Sequence, residues 1–120
     1  MRQRSDRGSV TVYALMAGFM LCLGAVIAAQ ATALIRLQHE VSAAADLGAV
    51  AASAAAVSGA DGCAAARNVV ELNGASLVGC SMAFEVATVI ARDTSGPLWG
   101  QRFAVERKAR ALPADYVADP

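Results

Sequence analysis

The sequence predicts an α+β protein with a long N-terminal transmembrane helix that continues outward, a short second helix and a small antiparallel sheet. Three observations support this class. Residues Gly8 to Ile35 carry no charge, and most of them are apolar. No proline interrupts the alanine-rich stretch from Leu34 to Ala56. Beyond Asn73 the apolar residues change to a period of two, which is typical of strands.

Composition limits the classes of protein that the chain can belong to. Of the 120 residues, 57% are hydrophobic and 17% are charged, and ten basic residues balance ten acidic ones. This neutral balance argues against a nucleic-acid partner bound by bulk charge. The length allows one small domain, or one membrane anchor with one very small domain, and it excludes a large enzyme.

The first predicted element is a transmembrane helix over residues 10–34, because about 20 apolar residues in a helix cross the hydrocarbon core of a bilayer. Arg2, Arg4 and Arg7 precede this segment. The positive-inside rule therefore assigns residues 1–9 to the cytoplasm, and the remainder of the chain to the outer side of the cell membrane.

The apolar segment can be retained or removed. We expect retention as a single-pass anchor, because the run is about 20 residues long before the first small-residue site and no helix breaker lies near that site. The alternative is a signal peptide cleaved near Ala29–Ala31. Cleavage there would release a small secreted binding module.

The helix is predicted to continue outside the membrane over residues 35–57. A stripe there recurs at spacings of three and four, as in helices that pack lengthwise; it consists of Leu34, Leu37, Val41, Ala44, Gly48 and Ala51. Inside the span, Gly24 and Ala28 form a pair of small residues that lets another helix approach. Two interpretations stay open. Alanine is simply a good helix former, or Gly24, Ala28, Asp46 and Gly48 contact other copies or partner proteins.

Residues 58–112 are predicted to form a small α+β domain outside the membrane. Ser58–Gly62 is rich in turn formers and ends the first helix, and Asp61 is placed to cap a second helix over Cys63–Asn73. Alternation then predicts three strands, whose repeating positions are Val78, Cys80 and Met82, then Phe84, Val86, Thr88 and Ile90, then Phe103 and Val105. Residues 113–120 are predicted to be a flexible tail.

A core as small as the one predicted for this domain gives only marginal stability by itself, and a disulfide would add to that stability. A disulfide between Cys63 and Cys80 would enclose about 16 residues and add about 3 kcal/mol in an oxidising compartment. Metal binding is the rival interpretation, but no two cysteines have C-x-x-C spacing and the one histidine is distant in sequence. Cys22 lies in the apolar span and is predicted to be a small buried residue.

The inventory of catalytic side chains is short. The chain has one histidine, His39, which lies between Gln38 and Glu40 and is predicted to be a solvated surface residue. No phosphate-binding glycine motif and no H-E-x-x-H motif occur. We therefore expect a protein that is not an enzyme and that has no cofactor or metal site.

Four segments, taken in order, match the pattern of one family. They are Arg7–Val12 (RGSVTV), Ala43–Ala52 (AAADLGAVAA), Cys63–Arg67 (CAAAR) and Asn73–Cys80 (NGASLVGC). Together they make up 29 of the 120 residues, and they lie between positions 7 and 80. The sequence resembles the TadE/TadG-like proteins of the Flp (tight adherence) pilus system, and in particular the actinobacterial TadE-like group found beside helicase and secretion genes.

This resemblance implies a pilin-like fold and a function in assembly. The chain would be a membrane-anchored, minor-pilin-like component of a Flp/Tad-type pilus or a related secretion apparatus. Its partners would be the membrane, other Tad/Flp components (pilins, platform proteins and the secretion ATPase complex) and further copies of the chain, but no nucleic acid. The resemblance also marks Gly8 and Ser9 as a processing site. Prepilin-like relatives carry glutamate five residues after the glycine, whereas this sequence has Tyr13.

Overall fold

The computed structural model describes residues 6–115, with side chains from Gly8 onward. Two helices, α1 (Asp6–Val57) and α2 (Gly62–Leu72), are followed by three strands, which are β1 (Ser76–Ala83), β2 (Val86–Thr94) and β3 (Ala104–Ala111). The strands form one antiparallel sheet in the order β1-β2-β3. The protein thus has the predicted α+β fold, with a pilin-like architecture.

Helix α1 takes part in two compact units of the chain. The first unit ends at Ala33, and the second, here called the C-terminal domain, begins at Leu34. In the first unit, α1 is long and apolar enough to cross a membrane, and its apolar side chains are exposed. This is consistent with a single-pass anchor. The helix begins at Asp6, inside the segment that was predicted to precede it.

The predicted orientation depends on the basic residues before the span. Arg2 and Arg4 lie outside the described residues, as does the side chain of Arg7. Orientation therefore stays a prediction from the positive-inside rule.

The core of the C-terminal domain is built on a face of α1 made mostly of small side chains. The buried residues of this face are Leu37, Val41, Ala44, Ala45, Ala49 and Ala52. A Cβ atom on Gly48 would lie 2.6 Å from Cγ2 of Val70 on α2 and 3.4 Å from Cγ1 of Val89 on β2. Interior packing leaves no room for such an overlap. The small residues therefore set how closely α1 approaches the rest of the domain.

This burial bears on the two open interpretations of the stripe from Leu34 to Ala51. Its central members, including Gly48, are covered by α2 and the sheet of the same chain. The spacing indicated a packing face correctly. It could not distinguish a partner within the chain from a partner outside it.

Helix α2 is fixed at both ends by the expected local interactions. Asp61 is its N-cap, and Oδ1 of Asp61 accepts a hydrogen bond from the backbone N–H of Ala64 at 3.1 Å. Such a cap satisfies a backbone donor that the helix itself cannot pair. Asn73 is the C-cap, and Gly74 follows with a φ of +78°, a left-handed conformation that glycine adopts without strain. The helix lies one residue earlier than predicted.

The sheet turns one face toward α1 and α2. Core side chains on this face are Leu77, Cys80 and Met82 from β1, Ala87, Val89 and Ala91 from β2, and Val105, Ala109 and Ala111 from β3. The register of β1 against β2 shifts between Leu77 and Gly79. A bulge of this kind inserts one residue, so Leu77 and Cys80 both face the core although three positions separate them.

Two aromatic residues lie outside the strands to which alternation assigned them. Phe84 is in the turn between β1 and β2, and Phe103 precedes β3. On β2 the core face carries Ala87 and Val89, whereas the larger Ile90 points to the other face. The reason is the short distance between α1 and the sheet, which favours small side chains between them.

The close approach at Gly48 gives the first testable prediction. We expect Gly48→Val to reduce the free energy of unfolding by about 2 kcal/mol, because the new side chain must displace Val70 and Val89 from a filled core. The measurement is urea unfolding of the full-length protein in detergent micelles, followed by circular dichroism. Gly24→Val is the matched control, since a Cβ there meets nothing within 4 Å. Equal stability of the two variants would refute the packing described for Gly48.

Candidate functional site

The described part of the chain presents several exposed apolar side chains. Among residues 8–115, no group of three or more His, Cys, Asp and Glu side chains could hold a metal ion. His39 is exposed on α1, as predicted from its polar neighbours. The exposed apolar surfaces of the described residues are the candidate interaction sites.

The most extended of these surfaces in the C-terminal domain lies on α1, opposite the core. We call it the assembly face, and it consists of Ala43, Leu47, Val50, Ala54 and Val57, all of which are exposed. Their spacing of four, three, four and three places them in one line along the helix. The valine at position 50 keeps 58% of its surface accessible. A line of this kind is suited to lengthwise packing against another helix.

A shallow groove borders the assembly face. It has a volume of about 480 Å³ and is lined by Val50 and Val57 from α1, and by residues 111–115, which follow β3. Its walls are mainly apolar side chains, among them Leu112 and Pro113. The start of the predicted tail, residues 113–115, therefore helps to form this surface. Residues 116–120 lie outside the described part of the chain.

Asp46 lies at the edge of the assembly face and is exposed. On the described part of this helix, an ion pair joins Nε of Arg36 to Oε1 of Glu40 at 2.9 Å and does not include Asp46. The carboxylate is thus available to a partner across the face. A role in contacts between molecules stays a prediction for this residue.

The predicted positions in the span remain open to solvent or lipid. Gly24 is exposed with nothing within 4 Å of a Cβ, and Ala28 is exposed on the following turn. Gly8 and Ser9 lie exposed in the first turns of α1. Cys22 is a free and exposed thiol, not the buried residue that its apolar neighbours predicted. Helix packing and processing at these sites stay predictions.

The predicted cysteine pair is present as a disulfide. Cys63, in the first turn of α2, is bonded to Cys80 on β1, with their Cα atoms 5.8 Å apart. The bond crosses from the helix to the core face of the sheet, beside the partly buried Met82. It therefore ties together two elements whose shared core is small.

Two exposed aromatic residues were missed as surface features by the sequence analysis. Phe84 is 99% exposed and Trp99 is 60% exposed, and both have a positive φ, 57° and 54° respectively. Bulky residues rarely adopt that conformation, because Cβ then crowds the backbone. No sequence signal could have revealed this, since turns of the kind that require positive φ usually contain glycine or asparagine.

Comparison of the chain with models of known protein families, with curated proteins and with solved structures gives no match. The resemblance to TadE/TadG-like proteins therefore stays an expectation drawn from the sequence segments.

The disulfide leads to the second testable prediction. Its two cysteines are 17 positions apart, so we expect its reduction to lower the free energy of unfolding by about 3 kcal/mol through the larger entropy of the unfolded chain. Denaturant unfolding with and without a reductant measures this change. Cys22→Ser is the control and should leave stability unaltered. A domain that is equally stable after reduction would show that its small core needs no covalent link.

Proposed function

We propose that this protein is a membrane-anchored, minor-pilin-like component that aids assembly of a Flp/Tad-type pilus or a related secretion apparatus. The observation that carries the proposal is that α1 has two roles, as a candidate membrane-spanning segment and as part of the core of the C-terminal domain. The same unbroken helix is apolar enough to span a bilayer and supplies the core face of the C-terminal domain. In the proposed function, this one helix would link the membrane anchor to the domain that contacts a partner.

The assembly face supports the second part of the proposal. An exposed line of apolar residues on a helix is costly to leave in water, at about 25 cal/mol for each Å² that a partner would cover. Leu47, Val50 and Val57 contribute the largest side chains of this line. We propose a helix of another pilus or secretion component, or of a second copy of this chain, as the partner.

The proposed partners are those that the resemblance implies. They are the membrane itself, pilins, platform proteins and the complex of the secretion ATPase. The protein would act by contact and not by catalysis, and no cofactor or nucleic acid enters the proposal. The orientation that the arginines predict would place the C-terminal domain on the outer side of the cell membrane.

One observation favours the alternative of a released binding module. The boundary between the two compact units follows Ala33, close to the small-residue site at Ala29–Ala31. Cleavage there would spare the core, which begins at Leu37. The released product would keep the disulfide and the assembly face.

The intact mass of the native protein distinguishes the two functions. We expect a species in the membrane fraction that starts at Met1, or at Ser9 if the chain is processed after Gly8. A species in the medium that starts near Gln30 or Thr32 would instead identify the released module. Mass spectrometry of both fractions, before and after reduction, gives the start residue and the state of the cysteines together.

A charge on the assembly face tests the proposed contact. We expect Val50→Glu to abolish surface pili or secretion when it replaces the wild-type chain in the native host, because the carboxylate would be buried against an apolar partner. Val78→Glu is the matched control, since Val78 is 50% exposed on β1, away from α1. Filaments in the sheared surface fraction and secreted proteins in the medium are the readouts.

The control and the deletion strain decide how the result is interpreted. Val78→Glu should restore assembly fully, and both variants should unfold at the same denaturant concentration as the wild type. If deletion of the whole chain leaves pili and secretion intact, the proposed function is wrong. If the deletion has an effect that Val50→Glu restores, the assembly face is not the contact surface.

A further inference from the structure

We propose that the hairpin between β2 and β3 inserts the side chain of Trp99 into the lipid headgroup region of the membrane that α1 spans. The domain would then be held against the bilayer by a second contact besides its helix. The inference depends on the insertion of α1, which the proposed function also requires, but not on any role in a pilus.

The connection from β2 to β3 is an ordered hairpin and not an open loop. The backbone N–H of Ser95 donates a hydrogen bond to the carbonyl oxygen of Phe103 at 2.8 Å. The backbone N–H of Phe103 donates to Oγ of Ser95, also at 2.8 Å. Further out, Leu98 and Gln101 exchange backbone hydrogen bonds of 2.8 and 2.9 Å. Trp99 and Gly100 therefore form a two-residue turn at the tip of the hairpin, with positive φ at both.

The direction of this hairpin follows from two contacts of α1. Oγ of Ser53 donates to the carbonyl oxygen of Glu85 at 2.7 Å, where β2 begins. Five residues earlier on α1, Gly48 lies against Val89, further along β2. The helix and the strand thus run in opposite directions.

Beyond Val89, β2 leads toward the part of α1 that follows the apolar span. Leu37 and Val41 of α1 are buried in the same core as Ala91. The hairpin that continues from Thr94 to Trp99 therefore points to the Leu34 end of the domain. The headgroup region extends about 5 to 8 Å beyond the hydrocarbon on each side of a bilayer, so it begins where the apolar run ends.

The chemistry of the tip suits this boundary. Tryptophan is enriched at membrane interfaces, because its ring is apolar and its indole N–H can still donate to water or a headgroup. Pro97, Leu98 and Phe103 add apolar surface beside it. Arg92 and Arg102 lie near the hairpin, but so do Asp93 and Glu106. The proposal therefore depends on apolar and aromatic contact, not on attraction to anionic lipids.

The conformation of the tip is a second argument. A positive φ at a non-glycine residue costs about 1 kcal/mol or more, and Trp99 keeps 60% of its surface exposed in this conformation. Burial of the ring in the interface would offset that cost. A lipid surface is the occupant that the position of the tip favours, since the tip lies toward Leu34, the residue at which the chain of this domain joins the apolar span.

The experiment uses Trp99 as its own probe, because it is the one tryptophan of the chain. The full-length protein is reconstituted in nanodiscs of phosphatidylcholine, either unlabelled or brominated near the headgroup end of the acyl chains. Bromine quenches tryptophan only at short range. Two further single-tryptophan proteins carry Trp99→Phe together with Phe19→Trp, in the span, or with Phe84→Trp, at the opposite end of the domain.

We expect the brominated lipid to reduce the emission of Trp99 about twofold or more, as for interfacial tryptophans. Phe19→Trp should be quenched too, most strongly by lipids brominated deeper in the chain, and Phe84→Trp should be unaffected. Unquenched Trp99 beside a quenched Phe19→Trp would overturn this proposal and leave the proposed function standing. An unquenched Phe19→Trp would overturn both, since α1 would not then be in the membrane.

A contact between copies gives a different result. Trp99 covered by a second chain would shift its emission to shorter wavelength without quenching by brominated lipid. The shift would also disappear at one protein per nanodisc. That outcome counts against the membrane contact.

Discussion

The domain depends on how closely α1 can approach the elements that follow it. Alanine and glycine on the buried face of α1, with Gly48 at the tightest point, allow α2 and β2 to lie against the helix backbone. The same constraint selects small residues on the sheet, where Ala87, Ala91 and Ala109 face the helix. Each small side chain buries little surface and makes few dispersion contacts. Many such residues packed closely along α1 therefore take the place of the large side chains of an ordinary core.

A core of small residues has two consequences for the rest of the molecule. The burial it provides is limited, and the disulfide between Cys63 and Cys80 compensates by joining α2 to the sheet directly. The larger apolar residues are then left for other uses. Leu47 and Val50 lie on the outer side of α1, and Phe84 and Trp99 lie at the two ends of the domain. The exposed surface is therefore richer in large apolar groups than the interior.

The predictability of the fold follows the range of the interactions. The long first helix and the cap at Asp61 are set by neighbours in sequence, and the sequence predicts both to within a few residues. The cysteine pair was predicted because only two cysteines fall outside the span. The sequence predicted less well which side chains of each strand face the core, because the bulge at Leu77–Gly79 and the turn at Phe84 depend on pairing between strands.

The candidate site also has one part that the sequence predicts and one part that distant contacts determine. Spacing indicated that α1 has a packing face, but the residues that cover Gly48 come from positions 66–89. Which side of an alanine-rich helix remains exposed is decided by these distant contacts. The assembly face could therefore be recognised only after the buried face was known, and no local pattern distinguishes Val50 from Val41.

The hydrogen bond from Ser53 to Glu85 has a consequence for how the chain acquires its fold. It joins residues that are 32 positions apart, and Ala109, a core residue of β3, follows the end of α1 by 52 positions. Helix α1 must therefore leave the ribosome long before anything can cover its alanine face. The α2–β1 segment, closed by its own cysteines, is able to form first. Folding would then end when the sheet packs against a helix that has already formed. Until then the alanine face of α1 is exposed to a chaperone or a neighbouring subunit.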